Sequence, residues 1–131
     1  MPRPRRVLVV DDSIVVRKVL VLTVRQLPEF VHAYVDEAGN GAIALKRLES
    51  TRYDLVLSDI RMPYVDGLSL VRAVRQRGDT STPIVLISTL GTDEDVQRGL
   101  EAGADAYLLK PISPSVIRAA LRDFLDRRAR A

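Results

Sequence analysis

Val7-Leu8-Val9-Val10-Asp11-Asp12-Ser13 is the stretch from which the chain is read. Four continuous apolar residues, three of them β-branched, make a short strand buried on both faces, as in parallel sheets. Two carboxylates close that strand, and Ser13 is a suitable N-cap for a helix behind it. The same order recurs downstream. Leu55-Val56-Leu57 runs into Ser58-Asp59, Ile84-Val85-Leu86-Ile87 into Ser88-Thr89, and a strand over 105–109 into Lys110-Pro111. Helix candidates cover 13–27 with Pro28 just beyond, 42–49, 68–76 and 92–102. A last one starts near Pro114 and carries Val116, Ile117, Ala120, Leu121, Phe124 and Leu125 as one stripe. The helix over 92–102 has acids in its first turn and few apolar residues: Val96, Leu100 and Ala102. Residues 31–36 alternate instead, with Val31, Ala33 and Val35 on one face and His32, Tyr34 and Asp36 on the other. That predicts a half-exposed edge strand, followed by a turn at Gly39-Asn40-Gly41.

Five strand–helix units in alternation predict an α/β fold with a doubly wound, five-stranded parallel sheet and five helices, flavodoxin-like, in strand order 2-1-3-4-5. The alternating strand then falls on an edge. The chain has 131 residues, 47% hydrophobic and 28% charged, which excludes general disorder and sets an expectation of one domain over 1–131 with a core at about 5–128. With no cysteine there are no disulfides, thiolate nucleophiles or iron–sulfur clusters, and a single histidine excludes a multi-histidine metal site. No long apolar run or signal pattern is present, so a cytoplasmic protein without membrane contact is expected. The net charge is +3. Six of the twenty basic residues (Arg3, Arg5, Arg6, Arg127, Arg128, Arg130) lie near the ends, leaving fourteen against seventeen acids in the body. The expectation is of solvated basic tails and no direct nucleic-acid contact.

Ligands in such sheets bind beyond the carboxyl ends of the strands. There this order brings together Asp11, Asp12, Asp59, the hydroxyls of Ser88 and Thr89, and Lys110. Three carboxylates repel one another, which a hard divalent cation resolves. Lys110 adds a second positive point for an anion. A carboxylate beside both is a nucleophile toward phosphorus, with a hydroxyl at 88 or 89 to bond the transferred group. Each feature has an ordinary reading too: Asp12-Ser13 as a helix cap, Asp59 as a loop-starting aspartate, Lys110 as a surface lysine, Tyr107 as a strand aromatic, Met62 and Tyr64 as a loop cover, and His32 as an exposed edge-strand residue.

Asp11-Asp12-Ser13, Asp59-Ile60-Arg61-Met62-Pro63 with Gly67, Ser88-Thr89, and Tyr107-Leu108-Leu109-Lys110-Pro111 together resemble the receiver domain of two-component response regulators, including stand-alone chemotaxis-type receivers. The resemblance implies that Asp59 accepts a phosphoryl group. It implies a Mg²⁺ ion held by Asp11, Asp12, Asp59 and the carbonyl of Arg61. Lys110 would contact the acyl phosphate, Ser88 would be the switch hydroxyl and Tyr107 its aromatic partner. A cis peptide before Pro111 would aim Lys110 inward. Further implications are a histidine kinase or phosphotransfer protein as donor, and a downstream protein or fused output domain that reads the surface of helix 4, strand 5 and helix 5. Self-phosphorylation and slow self-dephosphorylation would be the only chemistry, so no turnover enzyme is expected. Three other readings compete. An aspartyl-phosphate phosphatase needs a second acid two residues past its nucleophile, where Arg61 stands. A flavodoxin-like cofactor binder needs a Gly/Ser/Thr-rich first loop, where Asp11 and Asp12 stand. A receiver-fold interaction module would work without phosphate.

Overall fold

The structure is a computed structural model that describes residues 4–111 and 113–130. Five strands, β1 (Arg6–Val10), β2 (Tyr34–Ala38), β3 (Leu55–Asp59), β4 (Ile84–Ser88) and β5 (Ala106–Leu109), alternate with α1 (Ile14–Arg25), α2 (Gly41–Ser50), α3 (Gly67–Gln76), α4 (Asp93–Ala102) and α5 (Pro114–Arg130). The sheet is parallel throughout and ordered β2-β1-β3-β4-β5. Strand periodicity splits the core in two. Leu8, Val10, Val56, Ile84 and Leu86 face α2 and α3, where Leu48, Leu70, Val71 and Val74 meet them. Val7, Val9, Leu55, Leu57, Val85 and Ile87 face α1 and α5, where Leu20, Val24, Ile117 and Leu121 meet them. Each such buried aliphatic side chain contributes roughly 1.5–3 kcal/mol of transfer free energy, which is why β3 and β4, buried end to end, are the centre of the molecule.

The register brings the carboxyl ends level. Val10 pairs with Ser58 and Ala38, Asp59 with Ile87, and Ser88 with Leu109. Helix starts are fixed locally: Ser13 caps α1 on the Val16 N–H, Asn40 caps α2 on Ile43, Asp66 caps α3 on Ser69, and Thr92 with Asp95 forms a capping box on α4. In α4 only Gly99 is buried, and Leu100 is exposed, so this helix is held by the least apolar surface.

Three expectations are corrected. The edge strand begins at Tyr34, not at 31: Pro28–Phe30 forms a 3₁₀ turn that seats Phe30 in the core and leaves Val31 and His32 exposed in the following turn. Pro28 starts that turn as well as ending α1, and the apparent alternation through 31–33 comes from it. Tyr64 does not cover its loop; it is 89% exposed with φ +70°. The basic ends are not free tails. Arg6 lies in β1 with its guanidinium 4.8 Å from the Tyr34 ring centre. α5 continues to Arg130, Arg127 pairs with Asp123, and Arg128 donates to the Ser81 carbonyl at 3.2 Å. Arg3 is outside the described residues.

Candidate functional site

Asp11 follows β1 and continues its ladder, donating its N–H to the Ala38 carbonyl at 3.1 Å. The residue is 1% exposed. Its Oδ1 accepts the Ser13 N–H at 2.9 Å and its Oδ2 accepts the Lys110 ammonium at 2.9 Å. Asp59 closes β3 and is buried as well. Its Oδ1 accepts the Ile60 N–H at 2.8 Å, and its Oδ2 lies 3.3 Å from Lys110 Nζ. Lys110 is brought there by β5: its backbone N–H donates to the Ser88 carbonyl at 2.8 Å, and the Lys110–Pro111 bond is cis. Asp12, next to Asp11, is exposed. Asp11, Asp12 and Asp59 each offer a carboxylate oxygen, and the three oxygens lie within 4.8 Å of one another.

The charges do not balance. Burial pushes the Asp59 carboxyl above its usual range; Lys110 opposes this and Asp11 reinforces it. Burial alone would depress the Lys110 ammonium, but the bond from Asp11 and the charges of Asp11 and Asp59 hold it above its ordinary value. Two carboxylates are thus compensated by one cation, and a third stands beside them. A cluster of hard oxygen donors in negative excess is the donor set of a divalent metal site.

The loop behind Asp59 is tight. Gly67 donates its N–H to the Ile60 carbonyl at 2.8 Å, and a Cβ at Gly67 would stand 2.2 Å from the Asp59 carbonyl oxygen. A Cβ at Gly41 would stand 2.2 Å from the Val65 carbonyl oxygen. α3 is therefore packed on the Asp59 backbone through Gly67, and α2 on the loop beyond it at Val65 through Gly41. Arg61, two residues on, has an exposed side chain.

On the other flank, Ser88 ends β4 fully buried while Thr89 is exposed. Ser88 Oγ accepts the Leu90 N–H at 3.1 Å, and the Tyr107 hydroxyl donates to the Leu90 carbonyl at 2.5 Å. The two side chains thus hold the two polar groups of one residue. Burial pushes the Tyr107 phenol up, and its ring lies where a Cβ at Gly99 would be, 2.8 Å away.

The profile of the response regulator receiver domain family matches residues 7–122. The chain belongs to that family. This receiver is 41% identical over 106 residues to the gliding motility regulatory protein of Myxococcus xanthus, covering 80% of this chain and 13% of that one. It is 34% identical over 122 residues to the transcriptional regulatory protein ResD of Bacillus subtilis (strain 168), covering 93% of this chain and 48% of that one. Among solved structures, the chemotaxis response regulator CheY4 of Vibrio cholerae superposes with a TM-score of 0.82 at 32% identity, covering 93% of this chain and 99% of that one. The receiver spans about half or less of the length of these two curated relatives.

Asp11, Asp12, Asp59 and Lys110 of the receiver are brought together as the sequence predicts, and Ser88 and Tyr107 meet at Leu90 beside them. Two contributors were not visible in sequence. Gly41 carries no chemistry of its own, and Arg17 finds its partners at the end of β1 and on β2. Its Nη1 donates to the Asp11 carbonyl at 2.7 Å and its Nε to Glu37 at 3.1 Å. Among the described residues no helix is long and apolar enough to cross a membrane.

Proposed function

We propose that this receiver, part of two-component signalling, is a phosphoacceptor switch with Asp59 as the acceptor. One observation carries the reading: a buried carboxylate that shares a lysine with a second buried carboxylate, beside a third. A carboxylate oxygen of Asp59 forms the new O–P bond while the P–N bond of a donor phosphohistidine breaks. The leaving nitrogen keeps the electron pair and takes a proton from solvent. Lys110 stabilises charge on the phosphoryl oxygens. Asp11, Asp12, Asp59 and the Arg61 carbonyl would hold Mg²⁺, which supplies further charge neutralisation when bound.

Receivers of response regulators work with histidine kinases and output domains. Here the donor is a histidine kinase or phosphotransfer protein in the cytoplasm, and the reader is a downstream protein or a fused output domain. Turning Ser88 Oγ toward a phosphoryl oxygen removes its bond to the Leu90 N–H, and Tyr107 holds the same residue by its carbonyl. Loosening Leu90 therefore reaches Tyr107 and, through Gly99, α4. A helix with so little buried surface is easily shifted, and phosphorylation biases the equilibrium of the α4–β5–α5 surface. Beyond self-phosphorylation and slow self-dephosphorylation the chain turns over no substrate.

The test is incubation with acetyl phosphate and Mg²⁺, followed by intact-mass detection of one added phosphoryl group. Wild type gains it, and Asp59→Asn does not. Labelling of Asp59→Asn to the wild-type extent would refute the acceptor, and no labelling of either would favour an interaction module that works without phosphate.

A further inference from the structure

Asp12 is the least constrained member of the acidic cluster. Its side chain is exposed and, among the described residues, has no hydrogen-bond or ion-pair partner. Asp11, by contrast, is held at its N–H and at both carboxylate oxygens. What aligns the two carboxylates is the peptide that joins them. Its carbonyl is Asp11 O, and Arg17 Nη1 donates to that oxygen at 2.7 Å. The Arg17 fork is fixed in turn, since its Nε donates to Glu37 Oε1 at 3.1 Å and Lys18 Nζ donates to Glu37 Oε2 at 2.7 Å. The Arg17 side chain is 15% exposed. A long cation is thus laid flat between α1 and the edge strand, with one arm on the backbone between two metal-ligating carboxylates.

We propose that Arg17 is a positioning residue for the divalent cation: by fixing the plane of the Asp11–Asp12 peptide it presents Asp12 to the ion. This rests on the reading of the acidic cluster as a Mg²⁺ site. Groups that orient metal ligands from behind typically govern ten- to hundredfold in affinity. Lysine is not an equivalent, because it is a point donor and does not hold a backbone carbonyl and a carboxylate in one fork.

The experiment is calorimetric titration of the full chain with Mg²⁺ alone, for wild type, Arg17→Gln, Arg17→Lys and Arg122→Gln, with melting in EDTA as the control for folding. Arg122 lies in an ion pair with Glu29 remote from the site and reports a merely structural loss. Arg17→Gln is expected to weaken Mg²⁺ by about tenfold or more and Arg17→Lys by about fivefold, while Arg122→Gln keeps wild-type affinity. The amide resonances of Asp12 and Ser13 should shift in both Arg17 variants before any metal is added. A folded Arg17→Gln within twofold of wild type overturns the inference. So does full recovery by Arg17→Lys, which would leave only a field effect. If Arg17→Gln melts below the titration temperature, Arg17→Lys decides alone by the same thresholds. A wild type that binds no Mg²⁺ overturns the metal reading as well, and so separates the two failures.

Discussion

At the amino ends of the strands, Asp54 accepts the Arg6 N–H at 2.8 Å, and Asp105 accepts the Ile84 N–H at 2.8 Å. Asp105 also takes Arg75 at 3.0 Å and lies 3.8 Å from Arg128. Asp79 accepts the Ser81 and Thr82 amides and the Thr82 hydroxyl. At the carboxyl ends, Asp11 and Asp59 share the Lys110 ammonium, with Asp12 beside them. One residue type thus serves two ends. Where a carboxylate extends a strand ladder and meets arginines, it is structural and redundantly held. Where carboxylates crowd around one ammonium, the negative excess is the donor set of a divalent metal site. A lone aspartate at a strand end is uninformative; the balance of acids and cations around it distinguishes the two uses.

The largest test removes the ammonium shared by Asp11 and Asp59. Lys110→Met should cost about 3 kcal/mol in EDTA, since it leaves buried carboxylates unpaired; denaturant melts measure it, and a change below 1 kcal/mol breaks the contrast. Asp105→Ala at the opposite end should cost about 2 kcal/mol, because the Ile84 N–H and Arg75 both lose an acceptor. Mg²⁺ should restore neither structure nor stability to Asp105→Ala.

The acid limb of stability sharpens the comparison. Burial would raise the Asp79 carboxyl, but the Thr82 hydroxyl and amides outweigh it and hold it below the usual 3.8. A depressed folded value stabilises above the unfolded one and is lost as pH falls through the folded one. Asp79→Asn should therefore flatten stability against pH below about 4. An unchanged acid limb in pH-dependent melts would remove Asp79 from the account. The smallest effect is Arg128→Ala. With Arg75 retained on Asp105, the loss should be about 0.5 kcal/mol or less.

The strands of the centre were legible because burial on both faces writes them as apolar runs, and the acids stood out because they interrupt those runs. β2 was misplaced because the Pro28–Phe30 turn imitates strand alternation, a pattern that only tertiary contacts resolve. The ends were misread because charge alone does not say that Arg128 finds Ser81, forty-seven residues away. Asp11, Asp12, Asp59 and Lys110 declared themselves through chemistry. Arg17 did not, since an arginine on an amphipathic helix is ordinary until Glu37 and the Asp11 carbonyl are seen beside it. Tyr64 at φ +70° carries no sequence cue, because glycine or asparagine is the usual occupant of that region.

Gly99 has a consequence for tuning. The Tyr107 ring rests where a methyl group at 99 would be, 2.8 Å from the missing carbon. A single added methyl would evict the ring and bias the resting population with every acid and the lysine intact. The set-point of the proposed switch would therefore be adjustable, by selection or by an engineer, from a helix outside the acidic cluster.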